Sequence, residues 1–167
     1  MIIYKTYQEI SIMHTGGKLL GKILELLAQQ HVFPGISAYD LEIIAQKEIK
    51  ETGATPAFLN YKPDHGRKFP AALCVSVNDE VVHGVPTEDK ILTEGDIVGI
   101  DCGIWYQGLC VDAAITVPCG KISPEAQKLL TVTKEALSIG IGLCRIGNYI
   151  GDIGEAIQKY VKANGFH

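Results

Sequence analysis

The stretch GIDCGIWYQGLCVDAAITV, residues 99–117, holds two aspartates, Asp101 and Asp112, among apolar and small residues. Alternation around a short turn reads as a β-hairpin. With a two-residue loop at Tyr106-Gln107, Asp101 falls directly opposite Asp112, their Cβ atoms about 4.5–5.5 Å apart. One face then carries Val98, Ile100 and Cys102 against Val111, Ala113 and Ile115 and is a core face. The other carries Gly99, Asp101 and Gly103 against Cys110, Asp112 and Ala114, a shallow floor on which two carboxylates stand.

Facing carboxylates repel, and an isolated buried anion is costly. Three arrangements relieve this. The pair can share a proton, a Lys or Arg can arrive from elsewhere, or divalent cations can bind, for which hard oxygen donors are suited. The hairpin itself contains no Lys or Arg. The triplet Asp101-Cys102-Gly103 loosely resembles the Asp-Thr/Ser-Gly of proton-sharing hydrolases, with Cys in place of the hydroxyl residue. A plainer alternative also stands: one aspartate exposed at a strand end and the other capping a turn.

The elements that must position this hairpin can be read in order. Apolar residues Ile12, Leu19, Leu20, Ile23, Leu26 and Leu27 recur at helical spacing and predict a helix from about Tyr7 to Gln30. Ser37 and Asp40 form a capping-box pattern for a second helix reaching about Thr52, with Ile43, Ile44 and Ile49 as its buried stripe and Gly53 as its stop. Residues 54–70 read as a loop rich in Pro, Gly and polar side chains. Residues 73–77 predict a strand. The hairpin strands span about 96–104 and 109–117. Ser123-Pro124-Glu125 starts a helix running to about Leu143, and a last helix begins near Tyr149 or Gly151 and ends at Gly165.

The chain of 167 residues, 47% hydrophobic and 20% charged, fits one globular domain. A net charge of −4 excludes an electrostatic footprint for nucleic acid. No apolar run is long enough to span a membrane, and the N-terminal residues do not resemble a secretory signal. The five cysteines include no C-x-x-C pair, which favours reduced thiols in a cytoplasmic protein, mostly acting as small core residues.

The elements VSVNDEVVHGVP (75–86) and EGDIVGIDCGIWYQGLCVDAAITV (94–117), preceded by FLNY (58–61), resemble the bacterial type of methionine aminopeptidase. The resemblance extends over essentially the whole chain. It implies an α+β pita-bread fold, here a single catalytic-type domain, residues 1–167, truncated on its C-terminal side. It also implies a two-metal site holding Co, Mn, Fe or Zn, with Asp101 and Asp112 as ligands and Asp112 bridging. His83 would hydrogen-bond the substrate and stabilise the tetrahedral intermediate. Phe58, Tyr61, Phe69 and Cys74 would line the pocket for a methionine side chain, and Asn78 would lie near a monovalent-cation loop. The partners implied are nascent polypeptide N-termini emerging from the ribosome, with no membrane and no reading of nucleic acid.

The family's ligand set is two Asp, one His and two Glu. The sequence offers only the two aspartates, and His167 does not match the histidine motif. The expectation is therefore a fragment with negligible peptidase activity alone. The runner-up is a catalytically silent pita-bread module that binds the ribosome or another protein; keeping Asp101, Asp112 and His83 speaks against it.

Overall fold

A computed structural model describes residues 2–64 and 66–167; His65, inside the expected 54–70 loop, lies outside the described residues. The chain forms two compact units, Met1–Lys121 and Ile122–His167.

In the first unit, helix α1 (Tyr7–Leu26) opens with a complete capping box. Thr6 Oγ1 accepts the Glu9 N–H, and the Glu9 carboxylate accepts the Thr6 N–H. Its path continues as a π-turn, Leu27–His31. Helix α2 (Ala38–Glu51) starts with the expected Ser37–Asp40 box and stops at Gly53, whose φ is +75°. Its buried stripe differs from the expected one. Ala38, Leu41, Ala45 and Ile49 face the core, whereas Ile43 is exposed, because the sheet meets the helix on the small-residue side.

The sheet has four strands: β1 (Thr55–Pro56), β2 (Leu73–Val77), β3 (Ile97–Tyr106) and β4 (Leu109–Pro118). β3 is central. β4 pairs along one edge, and β1 and β2 follow one another along the other. The two-residue β1 falls within the stretch expected to be loop, since nothing in a Pro-containing dipeptide announces pairing. Val98, Ile100, Cys102 and Ile104 of β3 join Leu73 and Val75 of β2 and Leu20, Leu27, Leu41 and Ile49 of the helices in one core. α1 lies tight on the hairpin: a Cβ at Gly16 would sit 3.3 Å from both Tyr106 Cβ and Val111 Cγ2.

The hairpin register differs from the expected one. Its two-residue loop is Gln107-Gly108, with φ of +48° and +80°. Positive φ at both central positions is the requirement of a type I′ turn, and glycine meets it without a Cβ clash. Asp101 therefore faces Ala114, and Asp112 faces Gly103. Because side chains alternate with period two, this displacement keeps both aspartates on one face and makes them diagonal neighbours rather than direct partners.

The second unit is a helix pair. α3 (Pro124–Gly142) begins at Ser123, whose hydroxyl accepts the Ala126 N–H. α4 (Ile150–Ala163) begins at Tyr149, whose N–H donates to Asp152. The two meet at Gly140, where a Cβ would lie 2.8 Å from Ile157 Cδ1, and the Tyr160 hydroxyl donates to Glu135. Gly165 ends α4 with φ of +85°.

Candidate active site

β3 sets the floor. Gly99, Asp101 and Gly103 alternate with the core residues, so the acidic face is the one turned away from α1 and α2. Asp101 is half-buried and Asp112 exposed. Burial raises the Asp101 pKa most; the Asp112 charge and a shared hydrogen bond add to it, and His83 opposes them, leaving it at about 6. Among the described residues, neither carboxylate has an ion-pair partner.

The wall rises from the gap between β1 and β2 along the β3 edge. Ala57 N–H donates to Gly103 C=O at 2.8 Å, and the chain then leaves the sheet. Phe58 folds over Gly103, where a Cβ would meet its Cε1 at 2.7 Å. Gly103 is the residue facing Asp112, so the aromatic ring stands beside the acidic pair. Phe69 packs edge-on against Phe58, centroids 6.5 Å apart. Asn60 N–H donates to Phe69 C=O, and Phe69 N–H donates to Tyr61 C=O, both at 2.8 Å, closing the base of the 62–68 loop. The Tyr61 side chain is 63% exposed, at the rim rather than in the wall.

Cys74 on β2 is the direct partner of Asp101 on β3. Burial, then the charges of Asp101, Asp112 and Glu42, push its thiol up to about 11; Cys102 rises to about 12 for similar reasons. Both are neutral at physiological pH, so neither is a thiolate nucleophile. All five cysteines are free; Cys74, Cys102 and Cys119 are buried, as expected of most, while Cys110 and Cys144 are exposed.

His83 is exposed, has φ of +59°, and lies close enough to Asp101 to lower its pKa. Asn78 lies in the turn just after β2. Its amide donates to Asp96 at 2.8 Å and its carbonyl accepts the Ile97 N–H at 3.0 Å, so its side chain ties β2 to the start of β3.

Two groups near the site escaped the sequence reading. Glu42 is 2% exposed, and its carboxylate accepts the N–H groups of Ala72 at 2.6 Å and Leu73 at 2.8 Å. It fixes the start of β2 just before Cys74. Lys90 donates to Glu80 and to the Val75 carbonyl beneath the His83 turn. Their partners lie far away in sequence, and no local pattern marks them.

Two carboxylates with hard oxygens, crowded on one face with no ion-pair partner among the described residues, suit divalent metal. They are not a complete set: among the described residues no group of three or more His, Cys, Asp or Glu side chains converges. Comparison with known proteins gives this arrangement its context. Residues 11–167 match the model of metallopeptidase family M24. The chain belongs to that family. It is 48% identical over 160 residues to a methionine aminopeptidase of Aquifex aeolicus, covering 95% of this chain and 62% of that protein. It is 46% identical to one of Clostridium perfringens, covering 99% of this chain and 64% of that protein. The crystal structure of a methionine aminopeptidase from Thermotoga maritima superposes with a TM-score of 0.92 at 38% identity, over 99% of this chain and 64% of that one. The fold is the pita-bread fold of the family, and the chain spans less than two thirds of the length of these relatives.

Proposed function

We propose that this chain forms the aspartate-bearing part of a methionine aminopeptidase, which removes the N-terminal methionine of newly made proteins. The observation that carries the reading is the diagonal pair Asp101–Asp112. Burial first, and the neighbouring Asp112 charge second, hold the Asp101 pKa at about 6, and the pair lies beside an aromatic and thiol wall in a chain 48% identical to a methionine aminopeptidase.

Asp101 and Asp112 would hold two divalent ions, Mn, Fe, Co or Zn; further ligands would come from outside these residues. Such ions supply a water of lowered pKa and polarise the scissile carbonyl. The chain's own groups do the rest. The two carboxylates set the negative field of the floor. His83 presents an imidazole that can donate to the oxygen where charge develops. Phe58, Phe69 and neutral Cys74 offer an unbranched thioether an apolar, polarizable surface and exclude water from it. Tyr61 borders this pocket at the rim, and Asn78 holds the far end of β2 beside the candidate monovalent-cation loop.

The substrates in this reading are nascent chains at the ribosome, in the cytoplasm, where free thiols persist. Among the described residues, no helix is long and apolar enough to cross a membrane. A purely binding module is less well supported, since it has no use for a crowded carboxylate pair.

Calorimetric titration of Mn²⁺ into the chain and into its Asp101→Asn and Asp112→Asn variants tests the metal assignment. Binding that weakens at least about tenfold in each variant is expected; equal binding in all three removes the two aspartates from the ligand set. In the full-length protein, release of methionine from a methionyl peptide that is abolished by EDTA tests the activity.

A further inference from the structure

We propose that the Glu80–Lys90 ion pair, with the Ser76 hydroxyl, positions His83 beside the aspartate face; the proposal rests on the reading of His83 given above. β2 pairs with β3 along one edge only. Its outer edge presents the N–H and C=O of Val75 and the N–H of Val77, and among the described residues no second strand covers it.

The segment after β2 folds back and satisfies these groups, partly through side chains. Val75 N–H donates to Gly84 C=O at 2.8 Å. Val75 C=O accepts from Lys90 Nζ at 3.1 Å, and Val77 N–H donates to the Glu80 carboxylate at 2.8 Å. Lys90 Nζ also donates to both Glu80 oxygens, at 2.9 and 2.8 Å. Gly84 N–H donates to Ser76 Oγ at 3.1 Å. A β-strand edge is thus completed by one glycine, a carboxylate and an ammonium group.

The turn rests so closely on this edge that a Cβ at Gly84 would sit 2.3 Å from the Val75 carbonyl oxygen and 3.0 Å from Glu80 Oε2. His83, the residue before it, adopts φ of +59°, a left-handed conformation unfavourable for a residue with a Cβ. Such a conformation persists only where its surroundings over-determine it. The residues just before it do not supply this by apolar packing, because Val81 is 89% and Val82 62% exposed. The polar clamp remains. The Lys90 side chain, only 20% exposed, is sheltered enough for its hydrogen bonds to fix geometry rather than exchange freely with water.

Lys90→Met and Glu80→Gln, with Lys90→Arg as the charge-conserving control, test this in the full-length protein. Amide hydrogen exchange at Gly84 should quicken at least about tenfold in the first two variants, while Ile100 and Cys102 in β3 exchange as before. Turnover of a methionyl tripeptide should fall about tenfold in kcat with KM within about twofold, and Lys90→Arg should recover most of it. In a His83→Ala background, Lys90→Met should cause no further loss, because the two act through one group. An unmoved Gly84 amide and His83 resonance in Lys90→Met, or losses that multiply with His83→Ala, would overturn the proposal. If His83→Ala alone left turnover intact, the catalytic reading of His83 would fail, and the exchange measurement would still decide whether the clamp holds the turn.

Discussion

Asp101 and Asp112 are diagonal neighbours across the β3–β4 ladder, each facing a residue with little or no side chain, Ala114 and Gly103 respectively. The bulk beside them comes from the Phe58 ring, folded over Gly103. His83 offsets part of their mutual repulsion, and a proton or a bound cation would relieve the rest, which links the hairpin's geometry to its chemistry.

Metal-free, this pair destabilises the fold that carries it. Asp101→Asn keeps the shape of the side chain and removes one of two crowded charges. In EDTA at neutral pH the variant is expected to unfold at a higher temperature than the parent, and saturating Mn²⁺ should reverse the order. Thermal unfolding followed by circular dichroism with and without metal measures both. A variant no more stable than the parent in EDTA would show that the pair is not strained. A site that lowers stability in order to bind is a common trade-off in enzymes.

The diagonal itself is set by the turn. Gln107 and Gly108 both take positive φ, which glycine tolerates and alanine does not. Gly108→Ala should cost about 1 kcal/mol, and Gln107→Asn, a residue more at ease in the left-handed region, should stabilise by roughly 0.5 kcal/mol. Urea unfolding of the two variants checks the signs. Stability lost in Gln107→Asn would argue against the I′ turn and the register built on it.

Much of this arrangement was legible in the sequence because it is local. The Ser37–Asp40 cap, the Ser123-Pro124 start, the stop at Gly53 and the alternation that puts both aspartates on one face depend on neighbours a few residues away. The register was not legible to the residue. Tyr106-Gln107 and Gln107-Gly108 both make a two-residue loop, and only the demand for positive φ at both centres selects the second. Glu42 was hidden for a different reason. On α2 it reads as one more polar helix position, and its partners Ala72 and Leu73 come from a strand thirty residues on. Of the expected α2 stripe, Ile49 is in the core and Ile44 packs against it, while the apolar Ile43 faces outward.

Glu42 provides a test of that hidden contact. Its carboxylate accepts two backbone N–H groups and the Gln46 amide at 2.7 Å, all within a buried site. Glu42→Gln replaces one acceptor oxygen with an NH₂ that faces donors. A loss on the order of 2 kcal/mol is expected, since a buried donor left unmatched costs its desolvation. Chemical denaturation gives the value. Retained stability would mean that Ala72 and Leu73 find water or another acceptor.

The Glu80–Lys90 pair gives the clamp a pH signature. The hydrogen bond from Lys90, and then that from the Val77 N–H, lowers the Glu80 pKa below its ordinary 4.5. A carboxyl group with a depressed folded-state pKa binds fewer protons folded than unfolded, so its contribution is complete above the unfolded value and fades as pH falls through the folded one. The parent and Glu80→Gln should therefore differ most in stability near neutral pH and converge as the solution is acidified below about pH 4. Because the pair is partly exposed, salt should narrow the gap at neutral pH as well. Melting temperatures of both proteins across this range, at low and high ionic strength, decide it. A gap that persists unchanged into acid would mean that the Glu80 charge contributes nothing and that only the shape of its side chain holds the His83 turn.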